Sequence, residues 1–189
     1  QNAVIRNCAN FGDVTGSSDV GGIIGGFVGD NAKVTGCYNT GAVTATGGSA
    51  GGVFGSSGYG VTVEHCYNTG AVSGQISGGI GGQVKGSTHW STGAVLAPVT
   101  VYDCYNTGSA AMGAFGSTDA SSADISRCYY LDILPADEAA EALSEADMLC
   151  ADLDGEAFGL ACGGYPALWW QTDVTFHHAA DEGAVTAPT

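Results

Sequence analysis

"CYNTGAV" stands at Cys37 to Val43 and again, letter for letter, at Cys66 to Val72, and "CYNTG" returns at Cys104 to Gly108. The cysteines set a period. Cys8 to Cys37 and Cys37 to Cys66 are each 29 residues, and the next intervals, to Cys104 and to Cys128, are 38 and 24. A recurring interval in this range is the mark of a repeat architecture, in which each unit buries its apolar face against its neighbours. Three positions before each cysteine stands a β-branched residue (Ile5, Val34, Val63, Val101 and Ile125), the type that suits a pleated, half-buried surface.

A second signature lies upstream of the cysteine: "GGIIGGFVG" from Gly21, "GGVFG" from Gly51, "GGIGGQV" from Gly78 and the eroded "AMGAFG" from Ala111. One unit therefore reads as three short extended segments, for example "GGIIGGF", "AKVTGCY" and "GAVTAT", separated by turns of Gly, Asn, Asp and Ser. Strands of about five residues fit one turn of a parallel β-solenoid, where equivalent residues of successive rungs lie about 4.8 Å apart. The expected fold is all-β: a right-handed parallel β-solenoid of three-strand rungs. Stacking would place Cys8, Cys37, Cys66, Cys104 and Cys128 in one inward column and Asn39, Asn68 and Asn106 in an amide ladder. Gly41, Gly70 and Gly108 would supply positive φ or close approach at the corner. A buried structural thiol is the favoured reading of the cysteine, since no His or Asp accompanies each copy.

The repeat breaks in the 38-residue interval, where "HWSTGAV" at His89 to Val95 has the form of "CYNTGAV" with His and Trp in place of Cys and Tyr. Lys85, Thr88, His89 and Trp90 gather there in a chain poor in basic residues. An irregular protrusion from a regular scaffold is a place for binding. The tryptophan either stacks on a sugar or peptide face or plugs the coil where the repeat is disturbed. In the 24-residue interval the "GAVTAT" segment is deleted or merged with the next.

After "CYYLD" the pattern stops, which divides the chain into repeats over 1–134, a cap with a closing strand over 135–171, and a linker or tail over 172–189. "PADEAAEALSEADMLCADLDGEAF" from Pro135 is rich in Ala, Glu and Leu and reads as helical. Ser144 followed by Asp147 resembles a capping box. This element would cover the open end of the solenoid, whose strand edges otherwise invite aggregation. "CGGYPALWWQ" reads as a turn and a strand from Ala167 to Gln171, with Trp169 and Trp170 on opposite faces. Cys150 and Cys162, outside the column, are the pair nominated for a disulfide.

Composition narrows the partners. Four Lys and Arg against 19 Asp and Glu give a net charge of −15, which removes the electrostatic footprint of a nucleic-acid binder. No apolar run reaches the roughly 20 residues that span a bilayer, so no membrane insertion is expected, and the chain begins inside a pattern, as a fragment would. No metal or cofactor site is nominated. "DLDGEAF" at Asp152 to Phe158 starts like a calcium loop but fails its spacing, and the adjacent His177 and His178 read as solvated linker.

The combination "GGIIGGFVG…VTGCYNTGAV", recurring in register from about Val4 to Tyr130, resembles the GLUG-motif repeats of large bacterial surface proteins. "LSEADM…FG…GGYPALWWQ" is similar to the segment that closes such arrays. The resemblance implies an exported or cell-surface bacterial protein, in which these arrays accompany adhesins and immunoglobulin A metallopeptidases, and it transfers no catalytic residue. The expected role is a non-catalytic spacer or adhesive module that contacts a glycan or host protein and the other domains of its own polypeptide. The alternatives are a polysaccharide-degrading β-helix enzyme with carboxylates paired in a groove, and a structural subunit of an extracellular fibre.

Overall fold

The computed structural model describes residues 3–26, 31–58, 60–89, 91–161 and 164–171, and these form an all-β structure with parallel sheets and one four-residue helix. The proposed tail over 172–189 lies outside them. The largest sheet runs Val4–Arg6, Lys33–Thr35, Thr62–Asn68, Val99–Asn106, Ala123–Leu131 and Glu141–Leu143, with Ala9–Asn10 and Tyr38–Asn39 continuing the first two rows. Every pairing in it is parallel. The register reproduces the period read from the cysteines: Val34 pairs with Ile5 and Val63, Val63 with Val101, and Val101 with Ile125.

Three further parallel sheets have the same row order. The second comprises Ile24–Gly26, Phe54–Ser56, Gly81–Val84 and Phe115–Thr118; the third Val14–Gly16, Val43–Ala45 and Val72–Ser73; the fourth Val20–Gly21, Ser49–Gly51 and Ile76–Gly78. Each full unit thus supplies a strand to four sheets, not to the three expected. The apolar glycine run is two strands because the chain turns inside it, at the second glycine of each pair. A Cβ on Gly52 would lie 2.1 Å from the Gly79 carbonyl oxygen and 2.2 Å from Asn68 Cγ, so only glycine lets the backbone press against the asparagine column there. In the shortened unit after Cys104 the third sheet has no strand, as the loss of "GAVTAT" implies, and Met112 rejoins the fourth through a single bridge to Gly78.

The large and second sheets share one core. Val34, Cys37, Val63, Cys66, Val101 and Cys104 meet Val53, Phe54, Ile80, Val84 and Phe115, nearly all fully buried, and each such side chain contributes about 1.5–3 kcal/mol through removal from water. A smaller core of Val20, Val43, Ala50 and Val72 lies between the third and fourth sheets. Within the stack the asparagines bond in series: Asn10 Nδ2 to Asn39 Oδ1 at 2.6 Å, Asn39 to Asn68 at 2.7 Å and Asn68 to Asn106 at 2.8 Å. Each Nδ2 also donates to the carbonyl two residues on, such as Asn68 to Gly70 at 2.8 Å, so the buried amides are satisfied along and across the stack. Gly41, Gly70 and Gly108 do not have positive φ. Close approach is what requires them: a Cβ on Gly70 would meet the Gly41 carbonyl oxygen at 2.1 Å.

The end segment departs from the helical cap expected of its composition. Its first part is extended: Glu141–Leu143 adds a parallel strand beside Ala123–Leu131, and Asp137 accepts the amides of Ala114 and Phe115 at 3.0 and 2.5 Å, closing the second sheet. A free sheet edge offers a hydrogen bond to each incoming peptide group, and this tertiary context overrides helix propensity. Only Glu145–Met148 is helical, capped as Ser144 and Asp147 suggested: Asp147 N donates to Ser144 Oγ at 3.1 Å, and Ser144 Oγ donates to Asp147 Oδ2 at 2.7 Å.

From there the chain does not plug the end; it runs back along the outer face of the large sheet. Tyr38, Tyr67, Tyr105 and Tyr129 form a column on that face, with Tyr38, Tyr67 and Tyr105 stacked at 4.9 Å, and Met148, Phe158 and Leu168 cover it. Tyr67 donates to Gln171 Oε1 at 3.0 Å and Tyr105 to the Pro166 carbonyl at 2.5 Å. The closing strand is shorter than expected, Ala167–Leu168, antiparallel to Phe158–Gly159. Trp169 and Trp170 lie in the turn after this strand, not within it, and their Nε1 atoms donate to the Gly155 and Gly36 carbonyls respectively, both at 2.9 Å.

Candidate functional site

The inward β-branched residue and the inward cysteine are three positions apart, yet a regular strand returns to the same face only every second residue. One residue between them must leave the β conformation. It is the residue before the cysteine: Asn7, Gly36, His65, Asp103 and Arg127 have φ of 53°, 62°, 52°, 51° and 45°, a column of left-handed residues through the large sheet. The register steps over them, passing from Glu64 paired with Tyr102 to Cys66 paired with Cys104. The kink also lets each thiol donate to the carbonyl two residues before it, as Cys66 does to Glu64 at 3.1 Å and Cys104 to Tyr102 at 3.3 Å.

The side chains of this column are delivered to the outer face, beneath the returning end segment. Arg127 grips Asp103 bidentately, Nε to Oδ1 at 2.7 Å and Nη2 to Oδ2 at 2.6 Å, and the Asp103 side chain is only 1% exposed. His65 Nε2 lies 3.6 Å from Asp103 Oδ2 and 3.1 Å from Asp154 Oδ2, a residue of the end segment. Neither approach has hydrogen-bond geometry, and the nitrogen is sealed from solvent. Asp154 is oriented by its own turn, in which Oδ1 accepts the Glu156 amide at 2.9 Å and the backbone carbonyl accepts those of Ala157 and Phe158. In the "DLDGEAF" stretch, one carboxylate, that of Asp154, faces the imidazole.

Behind His65, Glu64 takes Lys33 Nζ at 2.7 Å and a short hydrogen bond from the Tyr102 hydroxyl, and its Oε1 lies 3.8 Å from His65 Nδ1. Burial pushes the Glu64 carboxyl up, but the hydrogen bonds from Lys33 and Tyr102 outweigh it and hold the group below the ordinary glutamate range. The same bond to Glu64, reinforced by burial, raises Tyr102 to about 12. His65, Asp103 and Asp154 together offer three ligand atoms, all within 4.8 Å of one another, of the types that hold a divalent metal. As a pair for glycoside hydrolysis the two aspartates are poorly suited, because Asp103 is buried with both oxygens bound to Arg127 and cannot reach a sugar.

The residues nominated for binding occupy a different place. Ser87–Thr88 and Val95–Ala97 form an antiparallel hairpin apart from the parallel rows, and Cys66 pairs directly with Cys104, so "HWSTGAV" does not continue the cysteine column. Thr88 and His89 are half-buried there, Lys85 is exposed at its base, and Trp90 lies outside the described residues. His89 Nδ1 contacts Ser91 Oγ at 3.2 Å. Val95 and Leu96 are 40% and 64% exposed, an apolar strip on the second strand. Among the cysteines, Cys37, Cys66, Cys104 and Cys128 are buried in the core while Cys8 is exposed. Of the nominated disulfide, Cys150 is an exposed free thiol and Cys162 lies outside the described residues.

The sequence reading picked out the column of cysteines but passed over the residue before each. The odd spacing to the β-branched position was the signal that could have found it. No helix among the described residues is long and apolar enough to cross a membrane. No family model, no curated protein and no solved structure matches the chain.

Proposed function

We propose that the chain is a non-catalytic, right-handed parallel β-solenoid module of an exported bacterial surface protein of the GLUG-repeat kind, a spacer that presents the hairpin of residues 87–97 to a glycan or host protein. The observation that carries the reading is the contrast between the regular parallel rows and the hairpin that leaves their register. Along the parallel rows the asparagines, thiols and tyrosine hydroxyls are bonded to the protein itself, as a scaffold requires. The hairpin leaves that register and carries the exposed Val95 and Leu96, with Lys85, Thr88 and His89 close by. Rigid rows with one divergent loop are an arrangement in which binding is held on a fixed support. The acidic surface suits a partner with neutral or basic groups.

The test is binding to a glycan array and to immobilised host matrix proteins by the intact chain, by Trp90→Ala, and by a variant with residues 87–97 replaced by a Gly-Ser link. Binding present in the intact chain and lost with the hairpin is the expected result. Binding that survives hairpin replacement removes the loop from the reading, and a far-UV spectrum dominated by helix removes the solenoid.

A further inference from the structure

We propose that His65, Asp103 and Asp154 form a binding site for a divalent transition-metal ion of the zinc type, which pins the returning end segment to two adjacent rows of the large sheet. A tetrahedral ion with bonds of about 2.0–2.1 Å sets its ligand atoms about 3.3 Å apart. The two separations measured from His65 Nε2, 3.1 Å to Asp154 and 3.6 Å to Asp103, bracket that value. The third pair lies within 4.8 Å and closes by a small rotation of Asp154, whose side chain is 36% exposed. One imidazole with two carboxylates matches zinc and its neighbours, whereas calcium takes six to eight oxygens.

A second observation points to an occupant. His65 Nε2 is buried without a hydrogen bond although two carboxylate oxygens stand beside it. On the other side of the ring, Nδ1 faces the Glu64 carboxylate, itself anchored by Lys33 and Tyr102. At 3.8 Å that carboxylate is beyond hydrogen-bond reach, and a small shift of the ring would bring it to the place a carboxylate takes behind a ligating histidine. Arg127 does not block the site, because each carboxylate oxygen has two lone pairs and a ligating carboxylate is ordinarily hydrogen-bonded from behind. The remaining coordination position would take water. The ligands come from two successive repeat units and from the end segment, so the ion ties together parts that the repeat alone does not connect.

The probe is Zn²⁺, titrated calorimetrically into the whole chain carrying H177A and H178A to remove competing imidazoles, with Co²⁺ absorption as a second readout. Asp154→Asn and His65→Asn are the variants; asparagine tolerates the left-handed backbone, as Asn7 does in the same column. Expected are one equivalent bound, at least a tenfold loss of affinity in each variant with unchanged far-UV spectra, and a Co²⁺ spectrum free of thiolate charge-transfer bands. Equal affinity in the variants, thiolate bands that place the ion at Cys8 or Cys150, preference for Ca²⁺, or no binding at millimolar Zn²⁺ would each overturn the site.

Discussion

Two columns run through the same sheet at the same spacing, and they obey different rules. Two residues after the cysteine the column is Asn10, Asn39, Asn68 and Asn106, one residue type over four rows before Tyr130 takes the place in the fifth; one residue before it the column is Asn7, Gly36, His65, Asp103 and Arg127, a different residue in every row. The inner column needs identity because each amide is the partner of the next. The outer column needs only a left-handed backbone, which leaves its side chains free to diverge. In such a stack, specialised chemistry collects where the fold demands a conformation and not a residue.

Asn68→Ala should break the inner column most severely. It removes bonds with Asn39, Asn106, Gly70 O and Gly70 N, and at about 1 kcal/mol each the loss is about 4 kcal/mol, read from urea unfolding. Next comes Gly52→Ala, whose methyl would overlap Asn68 and the Gly79 carbonyl; about 3 kcal/mol is expected in the same measurement. The outer column should tolerate more. Arg127→Gln, which keeps an amide donor beside Asp103 at a half-exposed position, should cost less than Asn68→Ala, and a loss matching that of Asn68→Ala would erase the distinction between the columns.

The smallest effects are those of pH. Glu64 is depressed in the folded state, so its contribution is complete above its unfolded value near 4.5 and is lost as the pH falls below it. Tyr102 is raised, so its contribution is complete below its unfolded value near 10 and is lost as the pH climbs through about 12. Melting temperature followed across both ranges should show both losses in the natural chain, and Tyr102→Phe should flatten the alkaline one. A Tyr102→Phe profile identical to the natural chain at high pH would remove that hydrogen bond from the ledger of the site.

The parallel rows were legible because repetition prints the register directly: Cys37 and Cys66 announce the offset that the pairing of Tyr38 with Tyr67 displays. The asparagine ladder was legible for the same reason. The fourth strand was hidden, since the apolar run "GGVFG" continues through the corner that Gly52 makes. The end segment was misread because Ala, Glu and Leu favour helix in isolation, while an open sheet edge beside Leu131 claims their backbone first. The approach of Asp154 to His65 had no precursor in the sequence. Each belongs to a different pattern, and only the return of the chain along the tyrosine column brings them together.

That return also fixes an order of events in synthesis. Neighbouring rows can pair as soon as two units have left the ribosome, because their contacts lie about one period apart. The bond from Trp170 to Gly36 spans 134 residues and that from Tyr67 to Gln171 spans 104, so neither forms until synthesis has passed residue 170. Until then the tyrosines stand as an uncovered aromatic strip along a sheet already built. The nascent protein is therefore stickiest just before the segment that covers the tyrosines is made, and a chain truncated before residue 144 would keep that strip exposed for its lifetime.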